Sequence, residues 1–384
     1  MKKTIFIEGR TVKKIVTLLL ALGFMSSGIG YSAETSVKGT VYSTWMLNNT
    51  KGANNYNAFT IDRAYFGAES KLSDYVNLKI NLDIRPEKFL TSPATSVDNA
   101  GDTVDIPSLT AYSGYPAILK NAFVDWKVKP IDKVLRVRFG LQPTMFINYM
   151  EGAWDRRYVE KNIEDLNGWL SSADLGLTFN FSLGPQGNLG EVSLSILNGT
   201  KYSDVTDKNK NKDINLYGKL VPFYNNKDFN QVALFGQVYS GSQNKAFNAT
   251  TLASDWKKQI VSVGGKMAYQ KTADLCFDLN FQTMGQGSGK ADLKQSGLSF
   301  WGDLYLNSLV PSNSPVSTLA FFGRADIYDP NTNFASDGNS LIIAGIECAP
   351  TKGVKASVDY RTKNYQASGL PDEKYIFLNT EFKF

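Results

Sequence analysis

Residues 76–85 read VNLKINLDIR, and this stretch decides the fold. Its even positions are all apolar and its odd positions are all polar, so an extended chain carries one apolar and one polar face. The run is also long, because a typical soluble strand has about 5–6 residues whereas a tilted strand needs about 9–11 to cross a bilayer. The stretch therefore predicts a β-strand that spans a membrane, with one face in lipid and the other in water.

The same alternation recurs along the chain, and its polar face repeatedly carries full charges, which suits a wet interior. The predicted strands are 36–47, 57–70, 73–85, 117–129, 132–142, 173–184, 189–199, 213–224, 228–241, 257–270, 274–284, 295–308, 315–328, 339–350, 354–363 and 373–384. Connections after even-numbered strands are short, and the others are long and polar, as in bacterial outer-membrane barrels with short periplasmic turns and long extracellular loops. The sequence thus predicts an all-β fold, a single transmembrane antiparallel β-barrel of sixteen strands over residues 34–384.

The N-terminus has the order of a secretory signal peptide. A basic start is followed by an apolar run at 15–25, which is too short to span a bilayer as a helix, and then by small residues. We predict a signal peptide over residues 1–33, with cleavage near Ser32 or Ala33, and export to the outer membrane of a Gram-negative-type cell.

Charge and residue types exclude several functions. The predicted signal holds five basic residues and one acidic residue, which leaves 36 basic against 35 acidic side chains, a net charge of about +1. This balance gives no support for nucleic-acid binding. The chain has no histidine, so the usual general base and zinc ligand are missing. We predict that it is not an enzyme, has no catalytic residues, and needs no cofactor or metal; Asp204 and Asp207 are better explained as part of a solvated turn.

Cys276 and Cys348 each fall inside a predicted strand. In an exported protein they could pair, but two buried small apolar side chains are the favoured interpretation. At the C-terminus, alternate apolar residues lead to Phe384, the last residue. A terminal aromatic resembles the assembly signal of outer-membrane barrels, and it also suits an aromatic girdle at the membrane interface. We expect outer-membrane lipid around the barrel and the barrel-assembly machinery, acting through Phe384, as partners.

Four motifs carry a family resemblance. Residues 59–67 read FTIDRAYFG, 120–126 read KNAFVDW, 137–143 read VRFGLQP and 154–160 read WDRRYVE. Their order resembles the phosphate-selective porin O and P family and its relatives, over most of the chain after the predicted signal. The resemblance implies a sixteen-stranded barrel, a homotrimer, and small anions favoured by basic residues in the lumen. It does not imply phosphate as the solute, because many relatives are general pores.

A barrel of this size leaves an aqueous channel unless something fills it. Two connections are exceptionally long, 86–116 and 143–172. The second is the third long loop, which folds inward and narrows the pore in porins, and we expect it to form the constriction. It carries charges of both signs, which focus potential on passing ions at a narrow wall. Constriction and anion-facing residues are expected to be Glu151, Asp155, Arg156 and Arg157 from the loop, with Arg136 and Arg138 from the strand before it.

Further basic residues fall on the polar faces of predicted strands. Those assigned to the lumen are Lys79, Arg85, Lys127, Arg324 and Arg361. Carboxylates are interleaved with them, so the basic excess is small and an arginine-dominated ladder, which would match phosphate, is missing. The sequence therefore predicts a porin for passive diffusion of small hydrophilic solutes with a weak anion preference.

Two alternatives remain open. One is a substrate-specific channel for phosphate or an oligosaccharide, for which Trp301, Tyr305 and Tyr217 fall on polar faces and could contribute to an aromatic slide. The other is a non-transport barrel, either an adhesin or a structural protein, although the long loops contain no repeat or low-complexity tract.

Overall fold

The computed structural model describes residues 34–51, 57–89, 94–97, 103–106, 112–248, 252–270 and 272–384. The predicted signal peptide, 1–33, lies outside the described residues. Within these ranges, no helix is both long enough and apolar enough to cross a membrane.

Sixteen antiparallel strands close into one barrel, which confirms the predicted fold. The barrel strands are β1 (Glu34–Asn48), β2 (Asn57–Lys71), β3 (Val76–Ile84), β8 (Ala117–Lys127), β9 (Leu135–Pro143), β10 (Ala173–Leu183), β11 (Gly190–Leu197), β12 (Asp213–Leu220), β13 (Ala233–Ser242), β14 (Lys257–Tyr269), β15 (Ala273–Met284), β16 (Leu293–Tyr305), β17 (Leu319–Asp329), β18 (Asn339–Thr351), β19 (Val354–Tyr365) and β20 (Glu373–Lys383). Each overlaps one predicted strand. Four short strands lie between β3 and β8, where β4 (Glu87–Phe89) pairs with β7 (Tyr112–Gly114) and β5 (Ala94–Val97) pairs with β6 (Thr103–Ile106).

Helical segments occur only in connections among the described residues. The α-helices are α1 (Met145–Trp154) and α2 (Ile163–Leu166), and the 3-10 turns are Pro185–Gly187, Ala253–Trp256, Leu306–Ser308 and Pro315–Thr318. The last of these explains why β17 starts at Leu319 rather than at residue 315 as predicted, since Pro315 lacks the N–H that a strand ladder needs and opens a helical turn instead.

The first and last strands meet to close the barrel. β1 and β20 pair over nine residues, from Thr40↔Lys383 to Asn48↔Tyr375. The pairing continues to the C-terminus, because Gly39 and Phe384 exchange backbone hydrogen bonds of 3.0 and 3.1 Å. The Phe384 ring lies where a Cβ atom on residue 39 would sit, so glycine at this position lets the terminal aromatic cover the seam.

The barrel wall carries its apolar side chains on the outer face and its polar side chains on the inner face, the reverse of a soluble protein. On β15, Leu275 and Phe281 point outward and are 52% and 51% exposed, whereas Asp278 and Gln282 point inward and are at most 2% exposed. Apolar residues outside and polar residues inside are the arrangement of a transmembrane barrel with lipid around it and water within it. Cys276 is buried, Cys348 is half-buried, and in the described part of the chain the two are not linked.

Register shifts interrupt the alternation at β-bulges on β2 and β8 and again where β18 turns into β19. The register between β1 and β2 shifts between Tyr42 and Ser43, where Asp62 on β2 is the extra residue. The register between β3 and β8 shifts between Asn81 and Leu82, where Lys120 is the extra residue on β8. A bulge puts two residues opposite one, so side chains beyond it change face relative to a strict period of two.

Candidate functional site

The connection after β9 folds into the barrel and is called here the inner loop (residues 144–172). Its helix α1 carries Phe146, Ile147, Met150 and Trp154, all at most 1% exposed. These residues follow a helical spacing and form one apolar stripe. The stripe packs against aromatic and aliphatic side chains that point inward from the barrel wall, namely Tyr217, Phe235, Trp301, Phe322 and Ile343 in one cluster and Tyr239 and Ile260 in another. The lumen therefore contains a hydrophobic core between loop and wall.

Aromatic contacts define how the inner loop meets the wall. The Trp154 ring packs edge-on against Trp301 and Phe322, with ring centroids 6.0 Å apart in both cases. Tyr149 stacks on Tyr217 at 5.1 Å with an interplanar angle of 9°. Trp301 and Tyr217, two of the residues assigned above to an aromatic slide, are thus covered by the loop and at most 3% exposed.

Buried ion pairs fix the middle of the inner loop. Arg156 Nη1 lies 2.5 Å from Asp303 Oδ1, and its Nε lies 3.2 Å from Glu347 Oε2. Tyr158 donates a 2.6 Å hydrogen bond to Glu347. Arg156 is 1% exposed. The structure therefore places it between the loop and the wall, whereas the sequence led us to expect that it faces solutes in the lumen.

The end of the inner loop is held by polar side chains. Asn162 caps α2 by accepting a hydrogen bond from the backbone N–H of Glu164, and it donates one of 2.7 Å to Asp278. Glu164 accepts hydrogen bonds from Gln237 at 2.7 Å and from Ser262 at 2.5 Å. The Glu164 carboxyl is completely buried, and this burial raises its pKa to about 8. Among the described residues no cation forms an ion pair with it.

Three further predicted residues also hold the loop or the wall. Asp155, 60% exposed in its side chain, pairs with Lys355 at 2.8 Å. Arg361 pairs with Glu160 of the loop at 3.4 Å and with its neighbour Asp359 at 2.6 Å. Arg324 is buried in a two-bond pair with Asp326 at 2.7 and 2.8 Å. Each of these charges is therefore neutralised by a nearby partner.

The remaining loop residues form a separate pair. Arg157 Nε lies 2.7 Å from Glu151 Oε1, and its Nη2 lies 3.8 Å from Asp165. All three side chains are 15–16% exposed. Glu151 and Arg157 are thus brought together, whereas Arg156 is turned away from them toward the wall.

The other predicted residues lie on the wall formed by β3, β8 and β9. Arg138 makes a bidentate pair with Asp125, at 2.7 and 2.9 Å, above the Phe123 ring. Lys79 pairs with Glu69 at 2.8 Å. The side chain of Arg136 is half-buried, while that of Lys127 is exposed. In the closed ring, β9 and β16 are seven positions apart, so Arg136 and Arg138 are on the other side of the barrel from Arg156 and do not complete a ring with it.

A group of residues around β2, β3 and β8 is called here the basic patch, and sequence reasoning identified only part of it. Its members are Arg63, Arg85 and Lys120 with Tyr65, Asp83 and, from the connection between β11 and β12, Tyr202. Tyr65 Oη accepts hydrogen bonds from Arg63 at 3.0 Å and from Lys120 at 3.1 Å. Arg63 lies 3.4 Å from Asp83, the carboxylate of the patch. Three cations thus face one carboxylate, and all three donate hydrogen bonds to phenol oxygens, Arg63 and Lys120 to Tyr65 and Arg85 to Tyr202.

The two bulges explain why only Arg85 of these cations was assigned to the lumen. With a strict period of two, Arg63 shares a face with Phe59 and Ile61, which point outward and are 82% and 41% exposed. The extra residue Asp62 turns Arg63 inward, to 7% exposure. Lys120, itself the extra residue on β8, reaches inward as well. Arg63 and Lys120 both lie in motifs that carry the family resemblance, 59–67 and 120–126. These motifs were the only signal in the sequence that could have pointed to the two residues.

An open space remains beside this wall. A cavity of about 480 Å³ is lined by residues of β1, β2, β3, β8 and β9, including Glu69, Lys79, Asp125 and Arg138. The inner loop reaches this part of the wall as well, because Tyr158 of the loop packs against Tyr42 of β1 with ring centroids 6.4 Å apart.

Comparison with solved structures identifies the class of fold. OmpT, an outer-membrane protein of Vibrio cholerae, superposes with a TM-score of 0.59 at 10% identity, covering 92% of this chain and 98% of that one. OmpF of Salmonella typhi gives 0.58 at 12% identity, covering 93% and 99%. The outer-membrane channel DcaP of Acinetobacter baumannii gives 0.56 at 12% identity, covering 93% and 99%. The chain therefore has the fold of outer-membrane β-barrels, a closed barrel of sixteen antiparallel strands.

Sequence comparison gives no closer assignment. No protein-family model matches the chain, and no curated protein is significantly similar to it. The resemblance to the phosphate-selective porin O and P family therefore stays a prediction.

Proposed function

We propose that this chain is a porin, which lets small hydrophilic solutes diffuse passively through a narrowed, water-filled lumen. The observation that carries the proposal is the interior of the barrel: a polar wall, an inner loop pinned to that wall by buried contacts, and an open cavity beside β1, β2, β3, β8 and β9. A loop with its own apolar core and buried ion pairs narrows the lumen permanently, since leaving the wall would expose both to water. This role in constriction is what we expected for residues 143–172.

We infer a weak preference for anions. In the basic patch, Arg63, Arg85 and Lys120 exceed the carboxylate Asp83, and a low-dielectric wall strengthens their field on passing ions. Elsewhere in the lumen the basic residues assigned from the sequence are mostly paired with carboxylates. Positive charge is in excess at the basic patch, and charges of both signs are balanced elsewhere in the lumen. This distribution supports a mild preference for anions rather than strong selectivity for phosphate.

We also propose the surroundings of the barrel. The apolar outer face suits lipid, and the N-terminal signal pattern suits export, so the location is the outer membrane of a Gram-negative-type cell. A homotrimer and recognition of Phe384 by the assembly machinery fit this location. An enzymatic role is not proposed, because the chain has no histidine to act as a general base.

Planar bilayers with a potassium chloride gradient test the proposal directly. The purified barrel should give discrete conductance steps and a reversal potential that favours chloride slightly over potassium. Phosphate added at low concentration should block little; a saturable block would instead mean a dedicated anion site. Absence of any conductance from correctly folded protein would overturn the pore, and a reversal potential favouring potassium would overturn the anion preference alone.

A further inference from the structure

A second connection also folds over the barrel, the one between β11 and β12, called here the entrance loop (residues 198–212). Its start is fixed to the neighbouring strand β10. The backbone N–H of Gly199 and the hydroxyl of Thr200 each donate a 2.8 Å hydrogen bond to the Asp174 carboxylate, which is 4% exposed. The loop therefore leaves β11 in a set direction, toward the lumen.

Tyr202 anchors the entrance loop on a distant strand. Its hydroxyl donates a 2.7 Å hydrogen bond to Asp83 of β3, and accepts one of 3.3 Å from Arg85. Asp83 is completely buried, and Tyr202 is only 7% exposed. In the ring of strands, β8, β9 and β10 separate β3 from β11. At Tyr202 the loop thus lies over the inner wall of these three strands and reaches the strand on their far side.

The Tyr202 ring is held as firmly as its hydroxyl. Arg85 and Lys120 lie over the ring, 5.7 and 5.5 Å from its centroid. Leu141 and Ala173 pack with it in a small hydrophobic cluster. Cations over an aromatic face and a buried hydrogen bond to a carboxylate each stabilise this placement.

The entrance loop also adjoins the inner loop. A cavity of about 250 Å³ at the mouth is lined by Trp169 and Leu170 of the inner loop and by Thr200, Lys201 and Asp204 of the entrance loop. The entrance loop and the inner loop therefore border the same space.

We propose that the entrance loop is a second restriction of the lumen and that Tyr202 is the positioning residue that keeps it closed, so that Tyr202 sets the size of the solutes admitted. This inference rests on the proposed pore function. The Tyr202–Asp83 bond holds the loop over the inner wall of β8, β9 and β10, and its loss frees the loop to move toward solvent. Losing a hydrogen bond to a charged group shifts such a local opening equilibrium by roughly tenfold or more.

Pore measurements test the effect on solutes. Tyr202→Phe keeps the ring and removes the hydroxyl, Tyr202→Ala removes both, and Tyr224→Phe, in a short turn at the other end of the barrel, is the matched control. In liposome swelling with uncharged sugars of increasing size, Tyr202→Ala should admit sugars that the parent excludes, and Tyr202→Phe should show an intermediate effect with added current noise in bilayers. An unchanged size limit and conductance in both variants would refute the restriction.

Limited trypsin digestion of the reconstituted protein tests whether Tyr202 holds the entrance loop in place, and it does so without measuring conductance. Cleavage after Lys201 requires the adjacent Tyr202 to leave its place, whereas Lys208 and Lys210 of the same loop serve as internal controls. Tyr202→Phe should raise the rate after Lys201 several-fold and leave the control sites unchanged. Equal cleavage rates in parent and variant would refute the anchoring role of Tyr202, even if the barrel conducts. Faster cleavage of the variant in a barrel without conductance would refute the pore function but support the anchoring role.

Discussion

Arg156 and Asp303 form an ion pair of 2.5 Å inside the barrel, and both side chains are 1% exposed. One residue comes from the inner loop and the other from strand β16, so this pair, with Glu347 as a third member, fixes where the loop lies. Taking charges out of water costs free energy, but removing one partner of such a pair costs more because it leaves the other charge buried alone.

Replacing Arg156 should therefore release the inner loop. In Arg156→Met the carboxylates of Asp303 and Glu347 lose their cation, and we expect a loss of about 3–5 kcal/mol in the stability of the closed arrangement. Single-channel recordings should show larger and noisier steps. Asp155→Asn is the control, because the exposed pair with Lys355 contributes at most about 1 kcal/mol. Conductance that is equally changed in both variants would contradict the anchoring role of Arg156.

Glu164 makes the inner loop sensitive to pH. Burial raises the pKa of its carboxyl to about 8, above the ordinary value of 4.5. The proton retained by the folded loop stabilises the loop fully below about pH 4.5, and this stabilisation is lost as the pH rises to about 8. We expect current noise to increase from about pH 4.5 to about pH 8, because the buried carboxylate has no cationic partner.

Glu164→Gln tests this dependence because it keeps the hydrogen-bonding shape and removes the titration. The variant should show a flat profile of current noise over the same pH range. Asp165→Asn, one residue away but paired with Arg157, should keep the parent profile. A Glu164→Gln profile that still follows the parent would assign the pH response to another group.

Lys120 should contribute to the anion preference. Its ammonium group contacts the Tyr65 hydroxyl and two tyrosine rings, and no carboxylate among the described residues pairs with it. Lys120→Gln should therefore lower the chloride-to-potassium permeability ratio, measured from the reversal potential in a salt gradient. Lys227→Gln, exposed in a short turn, should leave the ratio unchanged. A ratio unaffected by Lys120→Gln would mean that the basic patch does not face the solute path.

Gly39 should be required for an intact seam. A larger side chain such as that of Gly39→Val needs the space of the Phe384 ring and displaces it, at a cost of about 1–3 kcal/mol for overpacking. We expect less heat-resistant folded barrel on unboiled gels. Gly152→Ala is the control, because an added Cβ there meets nothing within 4 Å. Normal assembly of Gly39→Val would show that the covered seam is dispensable.

The fold could be predicted because the deciding signal is local. Alternation within each strand and the long or short connections between strands are readable without a partner, and residues 76–85 alone give both the period and the length. The predicted ends differ where a turn residue takes over, as at Pro315. The exceptions to the face assignment are Arg63 and Lys120, since a bulge depends on the pairing of two strands and is not visible in either strand by itself.

The partners of the inner loop could not be predicted for a related reason. Arg156 and Arg157 are adjacent in the chain and were assigned the same role, yet one pairs with Asp303 and the other with Glu151. Nothing in the sequence relates residue 156 to residue 303. Helix α1 was not predicted, and the role of its apolar stripe depends on the inward-facing aromatic residues that it meets.

The apolar core between the inner loop and the wall makes the opening of the loop depend on temperature in a way that the lipid-facing surface does not. When the loop leaves the wall, Phe146, Ile147 and Trp154 pass from packed contacts into lumen water, and hydration of apolar surface raises the heat capacity. The free energy of loop opening is then a curved function of temperature, so the closed form is weakened by cooling as well as by heating. The width of the pore at low temperature is governed by the water inside the barrel, whatever the state of the lipid around it.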